Sequence, residues 1–172
     1  MEEPELIALV EEIQQGRDTI AVPQELLDER PPDKPIIKTL QTEIQAMAVG
    51  QRLKLALKGN RDARTILMRD SSRMVQRFVL SNPRVTEDEV LSLAKNRNVD
   101  RDLLDVVCKR KEWLSNYQIR HALALNPKTP MVMAVRFVPT LLPRDLRAIA
   151  KSKNVPAAVC GTAKRLVIDR GG

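Results

Sequence analysis

The sequence predicts an all-α protein, a right-handed α-solenoid of short helix pairs over about residues 37–170. Three observations lead to this class. Aromatic residues make up 2% of the 172 residues, so the core must be aliphatic, which suits close-packed helices better than a β-sandwich. Six glycines are too few for a protein of sheets and turns. A short corner motif built on asparagine also recurs between helical patterns.

The chain begins with an acidic amphipathic helix, assigned to residues 1–16. In the stretch PELIALVEEIQQ, Pro4 suits the first turn of a helix and Gly16 suits its end. Residues 17–36 carry four prolines and show no helical period, so they are predicted to form a proline-rich linker, or an extended strap lying on the body. The helical-repeat domain then covers residues 37–172.

The corner motif ends one helix on an apolar residue, turns through a small polar residue and starts the next helix. Asparagine tolerates turn geometry at a helix end, and a proline after it prevents the helix from continuing. The copies are spaced by 22, 14, 30 and 26 residues, and the middle two spacings together equal two periods of 22. The period predicts stacked repeats with one local distortion near residues 111–114. The copies are centred on Asn60, Asn82, Asn96, Asn126 and Ser152.

Several polar residues are predicted to cap helix N-termini. Thr86, followed three residues later by Glu89, forms a capping-box pattern. Thr129 is expected to cap a helix whose first position is Pro130, and Pro156 is expected to hold the same first position in a later helix. The remaining predicted N-caps are Asp100 and Ser115.

Two stretches carry a family resemblance. VQRFVLSNPRVTEDEVLSLAKN, residues 75–96, and QIRHALALNPKTPMVMAVRF, residues 118–137, resemble the repeat of the leucine-rich repeat variant family. The body, from about residue 50 to residue 168, is also similar to HEAT-type helical repeats and to bacterial proteins of this kind. The resemblance implies an α-solenoid and no activity. The founding variant-repeat protein carries a cysteine-bound iron–sulfur cluster ahead of its repeats, whereas this chain has no cysteine before Cys108, so no cofactor is predicted.

The sequence contains no catalytic constellation. His121, the single histidine, lies among apolar residues without a motif that would supply a nucleophile or an acid. Cys108 and Cys160 have no second ligand at metal spacing and are expected to be small core residues. Most carboxylates of the body fall at predicted helix starts, where they would cap. We therefore predict that the protein is not an enzyme and holds no metal.

Charge is distributed unevenly along the chain. Residues 1–50 hold 11 acidic and 4 basic residues, whereas residues 51–172 hold 11 acidic and 25 basic residues. An acidic segment therefore precedes a basic body, and helix 4–15 could dock on that body in the same chain or in a neighbouring one. The acidic N-terminus is unlike a secretory signal, and no apolar run reaches the roughly 20 residues that a membrane span needs, so a cytoplasmic protein is expected.

Arginines that recur at helical spacing predict a basic surface for an acidic protein partner, because guanidinium groups bind carboxylates in bidentate fashion. Trp113 and Tyr117 would add an aromatic anchor. The alternative is a nucleic-acid-binding protein that uses the same arginines on phosphates. Four aromatic residues are too few for a single-strand stacking platform, which makes this alternative the second choice. The predicted partner-binding residues are Arg64, Arg69, Arg73, Arg77, Arg97, Arg101, Trp113, Tyr117, Arg120 and Arg147.

Overall fold

A computed structural model describes residues 3–29 and 38–170, with the side chain of Lys38 excepted. Within these ranges the chain forms twelve α-helices, two short 3-10 turns and no β-strand, which confirms the all-α class. None of these helices combines the length and the apolar character needed to cross a membrane. The chain divides into two compact units, Met1–Val85 and Thr86–Gly172, here called the N-terminal and C-terminal units. The solenoid arrangement stays a prediction.

Five helices build the N-terminal unit. The first is the predicted acidic helix, which buries Val10 and Ile13 in the core of this unit and ends at Gly16, whose φ of +69° is the left-handed conformation that glycine adopts without strain. Its other side stays exposed, so the helix is amphipathic as expected. The helices are α1 (Glu3–Gln15), α2 (Lys38–Ala46), α3 (Val49–Lys58), α4 (Arg61–Leu67) and α5 (Arg73–Val79).

The segment of residues 17–29, here called the strap, lies against the body of the N-terminal unit. Leu26, in a 3-10 turn over Gln24–Leu26, is 1% exposed within the core. The Lys54 ammonium donates hydrogen bonds to the Asp18 carboxylate and to the Ile20 carbonyl, each at 2.7 Å. The remainder of the predicted linker, residues 30–36, and the predicted domain start at residue 37 lie outside the described residues.

Two buried asparagines at the predicted corners fasten the N-terminal unit. The Asn60 side-chain amide donates to the carbonyls of Glu25 and Asp28, at 2.8 and 3.0 Å, and so holds the strap. The Asn82 amide donates to the carbonyls of Ala56 and Gly59, at 3.0 and 3.2 Å, at the end of α3. The side-chain oxygen of each asparagine accepts a backbone N–H of its own corner. We call this arrangement the asparagine clamp.

Seven helices build the C-terminal unit, and Asn126 forms its clamp. The Asn126 amide donates to the carbonyls of Ala94 and Asn96, at 2.7 and 2.9 Å, while its oxygen accepts the Lys128 N–H. A single-turn helix stands where the repeat spacing predicted a distortion. The helices are α6 (Glu87–Lys95), α7 (Arg101–Lys109), α8 (Lys111–Leu114), α9 (Tyr117–Leu125), α10 (Met131–Phe137), α11 (Pro143–Lys151) and α12 (Ala157–Asp169).

The other two copies of the corner motif do not form clamps in the described residues. Asn96 is exposed, and its side-chain oxygen accepts the N–H of Asn98 within its own turn. Ser152 accepts the N–H of Asn154 in the same way. Five positions that look equivalent in the sequence therefore play two roles, a buried clamp and a local turn.

Two of the predicted N-caps are confirmed. The Thr86 hydroxyl accepts the N–H of Glu89, and the Glu89 carboxylate accepts the N–H of Thr86 at 2.9 Å, so the capping box forms. Asp100 caps α7 by accepting the N–H of Asp102 at 3.1 Å. Both caps satisfy backbone donors that the first turn of a helix leaves unpaired.

The other cap assignments were wrong. Asn116, not Ser115, caps α9: the Asn116 side-chain oxygen accepts the N–H of Gln118 at 2.8 Å, and the Ser115 hydroxyl donates to the Glu112 carbonyl at 2.6 Å. Thr129 does not cap α10: Pro130 occupies the N-cap position itself, and the buried Thr129 hydroxyl has no partner among the described residues. Pro156 likewise stands at the N-cap of α12 rather than at its first position.

We predict that Asn126→Ala destabilises the C-terminal unit by about 2 kcal/mol, because the buried Ala94 carbonyl loses its side-chain donor and the Asn96 carbonyl keeps only the long hydrogen bond from the Val99 N–H, at 3.5 Å. Asn96→Ala is the matched control, since it removes the same side chain from an exposed corner and should change stability by about 0.5 kcal/mol or less. Urea unfolding followed by Trp113 fluorescence measures both, because this unit contains the single tryptophan. Equal losses of stability in Asn126→Ala and Asn96→Ala would contradict the stabilising role of the asparagine clamp.

We predict that acid loosens the strap. The Lys54 hydrogen bond lowers the pKa of Asp18 below its ordinary 3.8, with burial acting in the opposite direction. A lowered pKa means that the carboxylate stabilises the folded state above pH 3.8 and loses this effect as the pH falls through the lowered value. Protection of strap amides against hydrogen exchange should therefore drop in this range.

The variant Asp18→Asn tests the assignment. It should lower strap protection already at neutral pH and leave a smaller further loss on acidification. Glu43→Gln, which neutralises an exposed carboxylate of α2, serves as the control and should leave the protection profile unchanged. An acid profile of Asp18→Asn identical to that of the unmodified protein would contradict the prediction.

Candidate functional site

The predicted partner-binding residues are divided between the two units, so each group is described within its own unit. Arg64, Arg69, Arg73 and Arg77 belong to the N-terminal unit. The remaining six residues belong to the C-terminal unit. Their burial and hydrogen bonds distinguish the side chains that contact their own unit from those that are exposed to solvent.

Arg64, one of the predicted partner-binding residues, is buried and is not part of an exposed surface. Its side chain is 2% exposed and donates to the Glu29 carboxylate at 2.6 Å and to the Gly59 carbonyl at 3.1 Å. Burial alone would raise the pKa of Glu29, but the Arg64 guanidinium and the Arg61 N–H outweigh burial and lower that pKa. Arg84 adds a hydrogen bond to the Leu27 carbonyl. These arginines hold the strap.

The other three arginines of this unit that were predicted to bind a partner are exposed. Arg73 and Arg77 are four residues apart on α5, and Arg69 precedes that helix. Arg69 and Arg77 make no ion pair within the described part of the chain. The N-terminal unit as a whole nevertheless holds 13 basic and 13 acidic residues, so it is electrically neutral.

Trp113 is buried rather than displayed. It is 7% exposed, and the Arg110 guanidinium covers its ring with the charged carbon 4.6 Å from the ring centroid. The residue therefore fills the core beside the short helix α8. An exposed aromatic anchor at this position, which the sequence suggested, is not present.

Tyr117 and Arg120 contact their own unit. The Tyr117 hydroxyl donates to the Asp145 carboxylate and accepts the N–H of Leu142 at 3.1 Å. Burial, and then the hydrogen bond to Asp145, raise the pKa of Tyr117. Arg120 lies 5.8 Å from the centroid of the Tyr117 ring and donates to the Ser115 carbonyl at 3.0 Å. Tyr117 thus fastens the start of α9 to the start of α11, and Arg120 binds the turn before α9.

The last three predicted residues are exposed in the C-terminal unit. Arg97 donates to the Asn154 carbonyl at 2.8 Å, so one of its N–H donors is already in a hydrogen bond. Arg101 lies at the first position of α7. Arg147 projects from α11, and no ion pair to it occurs among the described residues. Arg147 also lines a concave surface of this unit.

That concave surface is a groove between α11 and α12, with a volume of about 160 Å³. Four apolar side chains form its walls, and two arginines stand beside them. Because the groove joins the first turns of α11 to the last turns of α12, the two helices run antiparallel. The lining residues are Pro143, Leu146, Arg147, Leu166, Val167 and Arg170.

Positive charge is concentrated in the part of the chain that forms this groove. Residues 128–172 hold 9 basic and 2 acidic residues, a net charge of +7 that equals the charge of the whole protein. Residues 86–127 hold 7 of each and are neutral. The basic side chains on α11 and α12 are exposed, and one of the two acids, Asp145, is held by Tyr117.

The sequence prediction missed Arg170 and the apolar wall of the groove. The periodicity of α11 and α12 marks Leu146 and Leu166 as core positions, and it does not show that part of their surface lines a groove. Charge summed in successive segments would have pointed to residues 128–172. The prediction divided the chain at residue 50 instead, which spread the basic excess over the entire body.

Neither cysteine has the surroundings of a nucleophile. Burial, and then the nearby Asp105, raise the pKa of the Cys108 thiol to about 12. Cys160 is half-buried, with its sulfur 3.5 Å from the Ala150 carbonyl. His121 stacks on Tyr117 with the ring centroids 6.1 Å apart. Among the described residues, no group of three or more potential ligands from His, Cys, Asp and Glu is arranged to hold a metal.

Comparisons with protein-family models, with curated proteins and with solved structures gave no match.

We predict that Cys108 resists alkylation in the folded protein. With a pKa of about 12, roughly one thiol in 10,000 is ionised at pH 8, and the thiolate is the reacting form. The variant Cys160→Ser, which keeps Cys108 as the single thiol, should react slowly with iodoacetamide until urea unfolds the unit. Equal rates in the folded and unfolded states would contradict the burial of this thiol.

Proposed function

We propose that the protein is a non-enzymatic interaction scaffold that binds an acidic protein partner through the basic face of α11 and α12. This face consists of the exposed basic side chains of these helices and of Arg170, and two of them, Arg147 and Arg170, line the groove. The observation that carries the proposal is the net charge of +7 on residues 128–172. The basic face is formed by Arg144, Arg147, Lys151, Lys164, Arg165 and Arg170.

Apolar surface within the basic face favours a protein over a nucleic acid. Ile168 on α12 is 77% exposed and Leu142, before α11, is 44% exposed, and the groove walls are apolar. Protein interfaces combine an apolar centre with a polar rim, whereas phosphate binding needs positive charge without apolar area. The aromatic side chains that could stack bases, Trp113 and Tyr117, are engaged in packing.

We also propose that the helices form repeats of the variant leucine-rich or HEAT-like type, stacked as a solenoid. The asparagine clamp supports this arrangement, because Asn82 and Asn126 each hold the end of a helix that lies 23 to 32 residues earlier in the chain. A cytoplasmic location fits the free cysteines. In such a protein, binding rather than chemistry is the expected activity.

The test is a fluorescence-polarisation titration with a labelled poly-glutamate peptide, carried out with charge-reversed variants. We expect Arg147→Glu combined with Lys151→Glu and Arg165→Glu to weaken binding at least about 10-fold, because like charges then face each other. Arg69→Glu combined with Arg73→Glu and Arg77→Glu is the matched control. It makes the same charge change on exposed side chains of the neutral N-terminal unit and should cost much less affinity.

A random-sequence DNA duplex, titrated at low and physiological salt, decides between the two partner classes. Tight DNA binding whose affinity falls steeply and linearly with salt on logarithmic axes would favour the nucleic-acid alternative. Equal weakening of peptide binding by the two triple variants would contradict the assignment to α11 and α12. Weaker peptide binding in the Arg147→Glu, Lys151→Glu, Arg165→Glu variant alone would support that assignment.

A further inference from the structure

We propose that the acidic partner of the basic face is a second copy of this chain, whose helix α1 places Ile7 in the groove between α11 and α12. Glu3 and Glu11 of α1 would then pair with Arg147 and Arg170 beside the groove. This inference rests on the proposed function, since it names the partner of the same surface. It follows from three properties of the molecule: the pattern on α1, the composition of the groove, and the opposite charge of the two segments.

Helix α1 displays an acidic stripe with one aliphatic side chain in its middle. Glu3, Ile7 and Glu11 are all exposed and follow each other at intervals of four residues, so they lie along one side of the helix. Ile7 is 49% exposed, although α1 has a buried face that its other large aliphatic residues fill. With a rise of about 1.5 Å per residue, the two glutamates stand roughly 12 Å apart along the helix axis, with Ile7 halfway between them.

The groove has the size and the chemistry to receive this stripe. Its volume of about 160 Å³ is close to the ~150 Å³ of an apolar cavity that accommodates benzene, so one isoleucine side chain fits. The half-buried Leu166 and Val167 offer it an apolar wall. Arg147 is exposed and makes no ion pair within the described residues. Arg170 donates one N–H to the Pro139 carbonyl, at 3.2 Å, and its remaining donors can bind a carboxylate.

The charges of the two segments are opposite and equal. Residues 1–50 carry a net charge of −7, and residues 128–172 carry +7. Such complementarity speeds encounter and fixes the orientation of the two chains. Because the acidic and the basic surface differ, the contact is head-to-tail, and each chain keeps one surface open for the next one.

The experiment measures self-association by sedimentation at increasing protein concentration and at two salt concentrations. We expect weak, concentration-dependent association at low salt that decreases at high salt, because exposed ion pairs are screened. Ile7→Ala should weaken association about 10-fold, since it removes the buried aliphatic group, and it should leave the fold intact because Ile7 is half exposed.

Charge reversal with rescue provides the decisive comparison. Arg147→Glu with Arg170→Glu should abolish self-association, and so should Glu3→Lys with Glu11→Lys. A mixture of the two variants should associate again, because every acidic or basic surface then finds an opposite one on the other chain. Glu12→Lys is the control, since it changes a charge on α1 outside the stripe and should have a much smaller effect.

The outcomes separate this inference from the function on which it rests. Failure of the mixture to associate, or a monomer at every concentration, would overturn the second copy as the partner. If poly-glutamate still bound the basic face in that case, the proposed function would stand with a different acidic protein as its partner. If the protein neither self-associated nor bound poly-glutamate, the proposed function would be contradicted as well.

Discussion

A buried asparagine side chain determines the geometry of the corners on which both units depend. The last carbonyls of a helix have no intrahelical donor, and they are costly to bury unless another group donates to them. Asn82 and Asn126 supply two donors to such carbonyls and accept a local N–H with the same amide. An amide carries both donors and an acceptor on one short planar group, which explains why asparagine occupies these corners. The clamp fixes where one helix ends relative to a later turn.

The N-terminal strap extends the same principle to a segment without regular structure. Asn60, Lys54 and Gln51 all donate to strap carbonyls, so backbone groups that form no helix still find partners. Arg64 and Arg84 complete the attachment at the end of the strap. Much of the basic charge in this unit therefore serves the fold, and the unit is neutral overall. The exposed basic excess that remains for binding lies elsewhere in the chain.

The protein thus separates its charges by location. Acidic residues dominate the first 50 positions, and α1 displays four of them, while the basic excess falls on the last 45 positions. The first and last segments of the chain carry opposite net charges, and each has an apolar feature, Ile7 in the first and the groove in the last. Self-association and capture of another acidic protein would use the same arginines, so the first could limit the second. Salt concentration would then shift both equilibria in the same direction.

The sequence by itself determined the all-α class, the acidic first helix, the capping box at Thr86 and the position of the irregular helix α8. These features depend on composition, periodicity and neighbouring residues, which are local properties.

Tertiary structure decided which corners become clamps, because burial of Asn82 and Asn126 depends on carbonyls 23 to 32 residues away, whereas Asn96 stays exposed. It also decided which arginines face solvent. Arg64 and Arg77 have similar helical spacing, yet Arg64 is buried and paired with Glu29, whereas Arg77 is exposed. Spacing fixes the direction of a side chain from its own helix, and only packing fixes what lies in that direction.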